Sequence, residues 1–418
     1  MDNSFAGQAM VKPGETEQIF CLGYKDAEIE ASTHEFTHAV VNACVYPRLD
    51  YSGEAGVIHE ALADSFAMLH KIKKFQGTTK DQRWFFDGIR HLAEPHRVTA
   101  RYDDRQYPYP EYYMEPGCWY SGKDESSFVH HNSTALSKMT YLLCDGDTFN
   151  NITVKGIGVD KTLQLYWMLI STQKMTQTQT LSNFAELLLT TAAFDCGFTA
   201  DEQQNLINAC RAVKLPNSDA LRVISPQSRQ MAFFVNEQPG NGGKYQVNGK
   251  AVDLKKMRIA GIDSFKNLFD NGTVYQPTLR RFLKNSGGSA ANIVYKTLQQ
   301  INGVEVYGAS ATVQTDVHGN IKYFSKSFAD VDKRLNVSKT TVLPQDIRNR
   351  LLGNIKNNKI VQVTPVIYAP ELMGRRGNHV AAWKVDVAAG NILDHCYLVD
   401  QNSGKILYSI PLTSKSNK

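Results

Sequence analysis

The feature that most constrains the fold is the pentapeptide HEFTH at residues 34–38, which an apolar stretch of helical composition follows. Residues four apart lie on one face of an α-helix, so the imidazoles of His34 and His38 can reach the same cation. A zinc site with an open position for water also needs a third protein ligand. The chain must therefore pack a second ligand-bearing element against this helix.

The segment GVIHEALAD at residues 56–64 supplies the matching carboxylate, Glu60. Asp64 follows one helical turn later and can accept a hydrogen bond from the outer N–H of a ligating histidine. An HExxH match alone is about as often accidental as functional. Together with Glu60 and Asp64, it predicts one zinc ion per chain and makes Glu35 the candidate general base.

A further helical segment begins near Asp124 and carries the adjacent histidines His130 and His131. One of them could donate a proton to a transition state, with Glu125 fixing its tautomer. Adjacent residues of a helix point in different directions, so spacing does not decide which histidine faces the metal. On spacing alone, a surface pair without a catalytic role is the simpler interpretation.

The apolar pattern divides the chain of 418 residues into unlike parts and predicts an α+β protein of several domains. Residues 1–215 have helical periodicity, as at 39–45, 61–69, 135–143, 163–170 and 184–193. Residues 216–245 contain the turn-forming run QPGNGG and predict a linker. Beyond it, alternation predicts antiparallel hairpins at 304–323 and 383–408.

Composition excludes several classes of protein. The net charge of +5 comes without basic runs, so no nucleic-acid partner is expected. No stretch is apolar for long enough to span a membrane, and no signal peptide is visible. The seven cysteines form no CxxC pair, which excludes a site made of paired thiolates, and their odd number leaves at least one unpaired.

Taken together, these motifs resemble the thermolysin-like zinc peptidases. The resemblance runs from about residue 3 to residue 215, through HEFTHAV, YSGEAG at 51–56, GVIHEALAD, Ile89-Arg90 and VHHNS at 129–133. It implies a mainly α-helical catalytic unit and hydrolysis of peptide bonds in a peptide or protein substrate. It also implies secretion.

The resemblance assigns roles that spacing alone does not. It implies that His130 is the transition-state histidine and that Glu125 orients it, leaving His131 as a neighbour. It implies that Tyr51 lies on the oxyanion side and that Arg90 binds the substrate carbonyl.

Three further positions match the substrate-binding residues of the family. Ala31 and Ile89 match the wall of the pocket for the residue after the cleaved bond, and both are apolar. A hydrophobic residue is therefore expected there. Asn3 matches the asparagine that binds the substrate backbone.

The chain departs from the family at two places near the ligands. His59 stands where the family has an asparagine, which changes the surroundings of the metal ligands. Lys71 stands where the family has a carboxylate ligand for paired calcium ions. Because calcium needs oxygen ligands, we predict that the double calcium site is absent and that Lys71 pairs with Glu30.

The C-terminal part also has an unexpected resemblance. Residues 246–335 resemble the family's fungalysin/thermolysin propeptide, and residues 336–418 resemble a PepSY module. In the family this segment precedes the enzyme as inhibitor and folding assistant. The family's catalytic unit also begins with a β-rich half, and we expect most of that half to be missing from this chain. A rearranged enzyme with a C-terminal inhibitor and a fragment of a tandem precursor are both consistent with this order.

The leading hypothesis is a zinc endopeptidase inhibited by its own C-terminal region. The alternative is a catalytically silent zinc-binding protein with an inhibitory or chaperone-like role. The survival of every catalytic position favours the enzyme, whereas the missing wall of the cleft favours the silent protein.

Overall fold

The computed structural model describes residues 5–12, 15–21, 29–75, 77, 79–86, 88–102, 104–122, 124–224, 232–235, 238–239, 244–270, 272–283, 290–332, 335, 342, 344, 346–347, 358–412 and 414–415. Side chains are outside the description at 5–21, 125–126, 232–244, 275–276, 278–291, 358 and 414–415. Asn3 thus lies outside the described residues, as does the side chain of Glu125.

Helices are the main regular elements of the region up to residue 224, and the helical segments predicted from periodicity are confirmed. The α-helices of the described chain are α1 (Ile29–Cys44), α2 (Gly53–Phe75), α3 (Lys80–Trp84), α4 (Glu125–Asn132), α5 (Thr134–Asp145), α6 (Val159–Ser171), α7 (Leu181–Thr191), α8 (Ala200–Ala212) and α9 (Ile262–Lys266).

Strands dominate after residue 231. The strands are β1 (Phe5–Lys12), β2 (Glu15–Cys21), β3 (Phe85–Phe86), β4 (Arg90–His91), β5 (Thr99–Tyr102), β6 (Arg105–Pro108), β7 (Asp147–Phe149), β8 (Ile152–Val154), β9 (Ala232–Val235), β10 (Gln238–Pro239), β11 (Lys244–Val247), β12 (Lys250–Asp253), β13 (Val274–Leu283), β14 (Ala290–Ile301), β15 (Val304–Thr315), β16 (Ile321–Ser327), β17 (Asn358–Tyr368), β18 (Val380–Ala389), β19 (Ile392–Asp400), β20 (Ile406–Pro411) and β21 (Ser414–Lys415).

The central element of the helical region is α2, which is buried along most of its length and contacts α1, α4, α5 and α6. Its buried side chains, from Ala55 to Ile72, lie on nearly every side of the helix because neighbours surround it. At Gly56 the backbone of α2 approaches α4 closely, since a Cβ there would lie 2.5 Å from Val129 Cγ1. The glycine therefore lets the helix that carries His130 lie against the helix that carries Glu60.

Thirteen strands of the described chain form one mixed sheet, with the order β10-β9-β16-β15-β17-β18-β19-β1-β2 along its main path. Strand β14 pairs with β13 and β15, β20 with β19, and β21 with β1. The pairs β15–β17 and β16–β9 are parallel, and the other pairs in this sheet are antiparallel. The two predicted hairpins are confirmed as β15–β16 and as β18–β19–β20.

The sheet crosses the boundaries that the sequence suggests. Strand β9 lies within the predicted linker 216–245 and pairs with β16. Strand β17 of the 336–418 segment pairs with β15 of the 246–335 segment, and the N-terminal hairpin β1–β2 adds to the edge of β19. The division into separate propeptide and PepSY domains stays a prediction. No helix in the described ranges is long and apolar enough to cross a membrane.

Residues 232–415, called the tail below, dock on the helical region through polar contacts. The buried ammonium of Lys296 donates to the carbonyl oxygens of Gln173, at 3.1 Å, and Met175, at 2.5 Å. The carboxylate of Asp195 receives a hydrogen bond from Asn292 at 3.0 Å and pairs with the buried Lys174. These contacts fix the sheet against the loops that follow α6 and α7.

A second group of contacts joins the tail to residues 48–52, the loop between α1 and α2. They are Arg48 Nη2 to Leu412 O at 2.6 Å, Tyr307 Oη to Asp50 Oδ1 at 3.2 Å, and Ser52 Oγ with Tyr408 Oη at 3.0 Å. The tail therefore contacts both neighbours of Tyr51.

The buried Asp50 in this interface predicts a pH-dependent stability. Burial raises its pKa to about 6, although hydrogen bonds from Gln177 and Tyr307 oppose the rise. The ionised carboxylate therefore destabilises the folded state above about pH 6. This cost shrinks as the pH falls below about 6 and is lost below the ordinary pKa of 3.8, where the group is neutral in both states.

We expect Asp50→Asn, which keeps the acceptor oxygen, to raise the free energy of unfolding by up to about 3 kcal/mol near pH 8. The gain should shrink near pH 4. Thermal unfolding at both pH values measures it, with the fully exposed Asp263→Asn as the matched control. Equal effects of Asp50→Asn at the two pH values would contradict this assignment.

Candidate metal centre

Three side chains from α1 and α2 converge on one point inside the helical region. The Nε2 atoms of His34 and His38 are 3.0 Å apart, and His38 Nε2 lies 3.2 Å from Glu60 Oε1. His34 Nε2 lies 3.5 Å from Glu60 Oε2. One ligand atom of each residue lies within 4.8 Å of the others, and all three side chains are buried. The predicted ligand set is thus brought together.

The orientation of the His34 ring is fixed by an acidic residue beside its outer nitrogen, Nδ1. His34 Nδ1 lies 2.9 Å from Asp64 Oδ1, one turn after Glu60 on α2. The same oxygen accepts a hydrogen bond from Arg90 Nη2 at 2.7 Å. A carboxylate at this place directs the Nε2 atom of the ring towards the cation site.

A second chain of contacts fixes His38. Its Nδ1 lies 2.7 Å from Nδ1 of His59, and His59 Nε2 lies 3.2 Å from Asn42 Oδ1. If His59 donates to Asn42, its Nδ1 is an acceptor and His38 must donate to it. This tautomer leaves His38 Nε2 with a lone pair facing Glu60, as a metal ligand requires.

The ionised carboxylate of Glu60 and the neutral ring of His38 suit a cation. Burial alone raises the pKa of Glu60, but His130, His38 and His34 outweigh it and hold that pKa well below its usual value. Burial lowers the pKa of His38 to about 4 against the attraction of Glu60, so the ring is neutral at pH 7. Burial also lowers the pKa of His34, yet Glu60 and Asp64 raise it above its usual value.

One carboxylate oxygen of the three predicted ligands is left without a hydrogen bond. Oε2 of Glu60 is buried and accepts none among the described residues. A buried carboxylate oxygen in this state is costly unless a cation compensates it. Two imidazoles and a carboxylate are also the donor set of catalytic zinc sites. The residues present therefore fit a zinc ion.

Tyr51 and His130 adjoin the centre beside Glu60. The Tyr51 hydroxyl donates to Glu60 Oε1 and lies 3.3 Å from His130 Nε2. His130 Nε2 is itself 3.5 Å from Glu60 Oε1. Burial and Glu60 hold the pKa of Tyr51 well above its usual value, with Glu35 adding to the effect, so the phenol stays protonated.

His131 points elsewhere. Its Nε2 lies 2.8 Å from the carbonyl oxygen of Cys118, and its ring stacks on Tyr109 at 4.7 Å. Burial lowers its pKa to about 4. Of the two adjacent histidines, His130 therefore faces the metal ligands.

The remaining predicted residues lie around this centre. Glu35 is 2% exposed and adjoins His34 on α1. Arg90 is buried, and Ala31 and Ile89 are both half-buried. Their roles towards a substrate stay predictions.

The predicted ion pair beside the family's calcium position is present. Lys71 Nζ lies 2.5 Å from Glu30 Oε1 and 3.0 Å from the carbonyl oxygen of Phe85. The ammonium thus occupies the position at which the resemblance expects a carboxylate ligand. The absence of calcium stays a prediction.

Two residues of the centre were missed from the sequence. Asn42, which accepts from His59, lies one helical turn after His38, and that spacing could have identified it. Phe86 lies edge-on to His34, with ring centroids 5.5 Å apart, and its face lies 4.9 Å from the Arg90 guanidinium carbon. No pattern in the sequence marks this aromatic contact.

Comparison with known proteins gives a family match to part of the chain. Residues 47–215 match the family model described as "Thermolysin metallopeptidase, alpha-helical domain". The matched range contains Glu60 and His130 and begins after His38. The helical region is therefore similar to the C-terminal α-helical domain of thermolysin-like metallopeptidases.

Curated relatives match a similar share of the chain. Bacillolysin of Bacillus cereus is 31% identical over 154 residues, which are 37% of this chain and 26% of that protein. A zinc metalloproteinase of Renibacterium salmoninarum is 29% identical over 43% of this chain and 34% of that protein. Thermolysin of Alicyclobacillus acidocaldarius subsp. acidocaldarius is 28% identical over 44% of this chain and 32% of that protein. The chain spans about a third or less of these relatives.

A solved structure with a weaker similarity is the precursor of protealysin, a metalloproteinase from Serratia proteamaculans. It has a TM-score of 0.36 and 20% identity, over 46% of this chain and 58% of that chain.

The contact between His38 and His59 predicts how zinc affinity responds to substitution. His59→Ala removes the acceptor for His38 and is expected to weaken zinc binding about 10- to 100-fold. His59→Asn restores an acceptor oxygen and is expected to bind nearly as tightly as the wild type. Competition with a chromophoric chelator measures both.

The exposed His318→Asn in the tail serves as the control for non-specific histidine contacts. An affinity of His59→Ala equal to that of the wild type would mean that His59 does not support the ligand.

Proposed function

We propose that this protein is a zinc-dependent endopeptidase. The observation that carries the proposal is the convergence of His34, His38 and Glu60, with Tyr51 and His130 beside Glu60. The partial match to thermolysin-like metallopeptidases supports the same reaction class. A peptide or protein is therefore the proposed substrate.

The proposed mechanism assigns separate roles to the buried polar groups. His34, His38 and Glu60 would hold a zinc ion, which would supply the Lewis acidity that activates a water molecule and polarises the scissile carbonyl. Glu35 accepts the proton of that water and delivers it to the leaving amine.

The developing oxyanion is stabilised by side chains that lie beside Glu60. The Tyr51 hydroxyl, kept protonated by burial and by Glu60, can donate a hydrogen bond to it. His130 stands beside Tyr51 and can supply a second donor. Arg90 carries a fixed positive charge and is the proposed donor to the substrate carbonyl.

The proposed specificity is for a hydrophobic residue after the cleaved bond. Ala31 and Ile89 match the wall of that pocket, and each keeps part of its surface accessible. An apolar wall gains free energy only when it covers apolar substrate surface. The substrate backbone would be bound in part by Asn3, and Glu125 would orient His130.

We propose further that the tail holds the enzyme in a less active state. Its contacts reach Asp50 and Ser52, the residues on either side of Tyr51. A loop held in this way cannot adjust freely when a substrate approaches Tyr51. The tail thus acts on the oxyanion side of the cleft as an intramolecular partner.

The expected result for Glu35→Gln is retention of zinc together with loss of hydrolysis. General-base catalysis contributes about 10²- to 10⁴-fold, so casein or peptide hydrolysis is expected to fall by at least two orders of magnitude. Zinc per chain and initial rates are measured on the same preparations.

A matched control is Glu186→Gln, which replaces a partly buried helical glutamate outside the centre. If the wild type binds zinc and hydrolyses nothing, the alternative of a catalytically silent zinc-binding or inhibitory protein is favoured. If no zinc binds, both functions are excluded.

The proposed restraint by the tail predicts a gain of activity. The double variant Tyr307→Phe with Tyr408→Phe removes two contacts to the loop, each contributing about 1 kcal/mol. If the free energy that favours the restrained loop over the released loop falls by about 2 kcal/mol, the population of the released state rises up to about 30-fold. The kcat/KM on a short peptide should rise by a similar factor.

Tyr245→Phe is the control, because its hydroxyl donates to Leu268 within the tail and not to the helical region. Unchanged or lower activity of the double variant would contradict restraint by the tail.

Secretion and the absence of the double calcium site remain predictions from the resemblance. The six cysteines whose side chains the structure describes are free thiols, so disulfides among them give no support to an oxidising compartment.

A further inference from the structure

A second group of metal-ligating side chains lies outside the centre described above. It consists of His96, Glu115 and Cys118, whose ligand atoms lie within 4.8 Å of one another. His96 Nε2 is 3.1 Å from Glu115 Oε1 and 3.5 Å from Cys118 Sγ. One ring nitrogen thus faces a carboxylate oxygen and a sulfur at the same time.

The local backbone holds these two partners on one side. The N–H groups of Cys118 and Trp119 both donate to the carbonyl oxygen of Glu115, at 3.2 and 2.9 Å, and form a tight turn. The second carboxylate oxygen of Glu115 accepts the N–H of Glu111 at 2.7 Å, which leaves Oε1 directed at His96. Glu115 and Cys118 are each 8% exposed.

A further acidic residue lies near the other ring nitrogen of His96. His96 Nδ1 lies 3.8 Å from Glu111 Oε2. A carboxylate beside the nitrogen that is not ligating is the usual second contact of a metal-bound histidine. The imidazole keeps 43% of its side chain exposed, so water can reach the open side of the cluster.

The donor types select the metal. A thiolate, an imidazole and a carboxylate suit zinc and similar transition metals, whereas calcium and magnesium prefer oxygen ligands alone. Three protein ligands with an accessible fourth position match the coordination that zinc adopts.

A neighbouring cluster, Asp81 with His91 and Glu94, is a weaker candidate. The guanidinium of Arg97 pairs with both Asp81 and Glu94 and supplies the positive charge there. By contrast, within the described ranges the ion-pair partner of Glu115 is His96, which belongs to the same cluster.

We propose that His96, Glu115 and Cys118 form a second zinc site. The carbonyl oxygen of Cys118 contacts His131, the residue next to His130, so the site anchors the segment that precedes α4. Its role is to fix that segment beneath the helix carrying His130. The site does not depend on the proposed peptidase activity.

Cobalt substitution of the full chain tests the site. The centre at His34, His38 and Glu60 contains no sulfur, so a thiolate-to-cobalt charge-transfer band can come only from a cysteine-ligated site. We expect two cobalt ions per wild-type chain and a clear charge-transfer band. Cys118→Ala should lose the band and one cobalt ion, whereas His38→Ala should lose one cobalt ion and keep the band.

Cys144→Ala replaces another buried free cysteine and should keep both cobalt ions and the band. His96→Gln replaces the exposed ligand of the cluster and keeps the buried thiol of Cys118. Loss of the band in this variant therefore separates loss of ligation from misfolding of the cysteine variant. The proposal is overturned if the wild type shows no charge-transfer band at saturating cobalt. A band that persists in Cys118→Ala or in His96→Gln also overturns it.

Discussion

A carboxylate without any exposed surface, Glu60, lies against the imidazoles of His34, His38 and His130 and the hydroxyl of Tyr51. Burying an unpaired ion is prohibitively costly, so these partners are a condition for folding α2 into the interior. The same requirement fixes where α1, the loop before α2, and α4 must lie. A cation at this point would complete the compensation of charge.

Further polar contacts hold the side chains that surround Glu60 in place. Asp64 joins His34 to Arg90, and His59 joins His38 to Asn42, so each ligating histidine is held through its outer nitrogen. The tail then contacts the loop between α1 and α2 on either side of Tyr51. The centre is thereby linked to the sheet through a few polar contacts, and the proposed restraint by the tail would act through them.

The extent to which the sequence predicted the structure follows from the range of each interaction. Ligand positions on α1 and α2 depend on helical periodicity, which four-residue spacings reveal, and the hairpins depend on local alternation and turns. The pairing of β1 with β19, by contrast, joins Gln8 to Leu393. Alternation specifies which face of a strand is buried but not which strand it pairs with. The aromatic contact of Phe86 depends on tertiary packing in the same way.

The central claim is that Glu60, His34 and His38 bind one metal ion between them. Anomalous diffraction at the zinc edge, from crystals of the full chain, tests it most directly. A peak is predicted at about 2.0–2.2 Å from the Nε2 atoms of His34 and His38 and from a Glu60 oxygen, with His130 facing it. Absence of a peak there from zinc-loaded crystals, with the three side chains in place, would contradict the account.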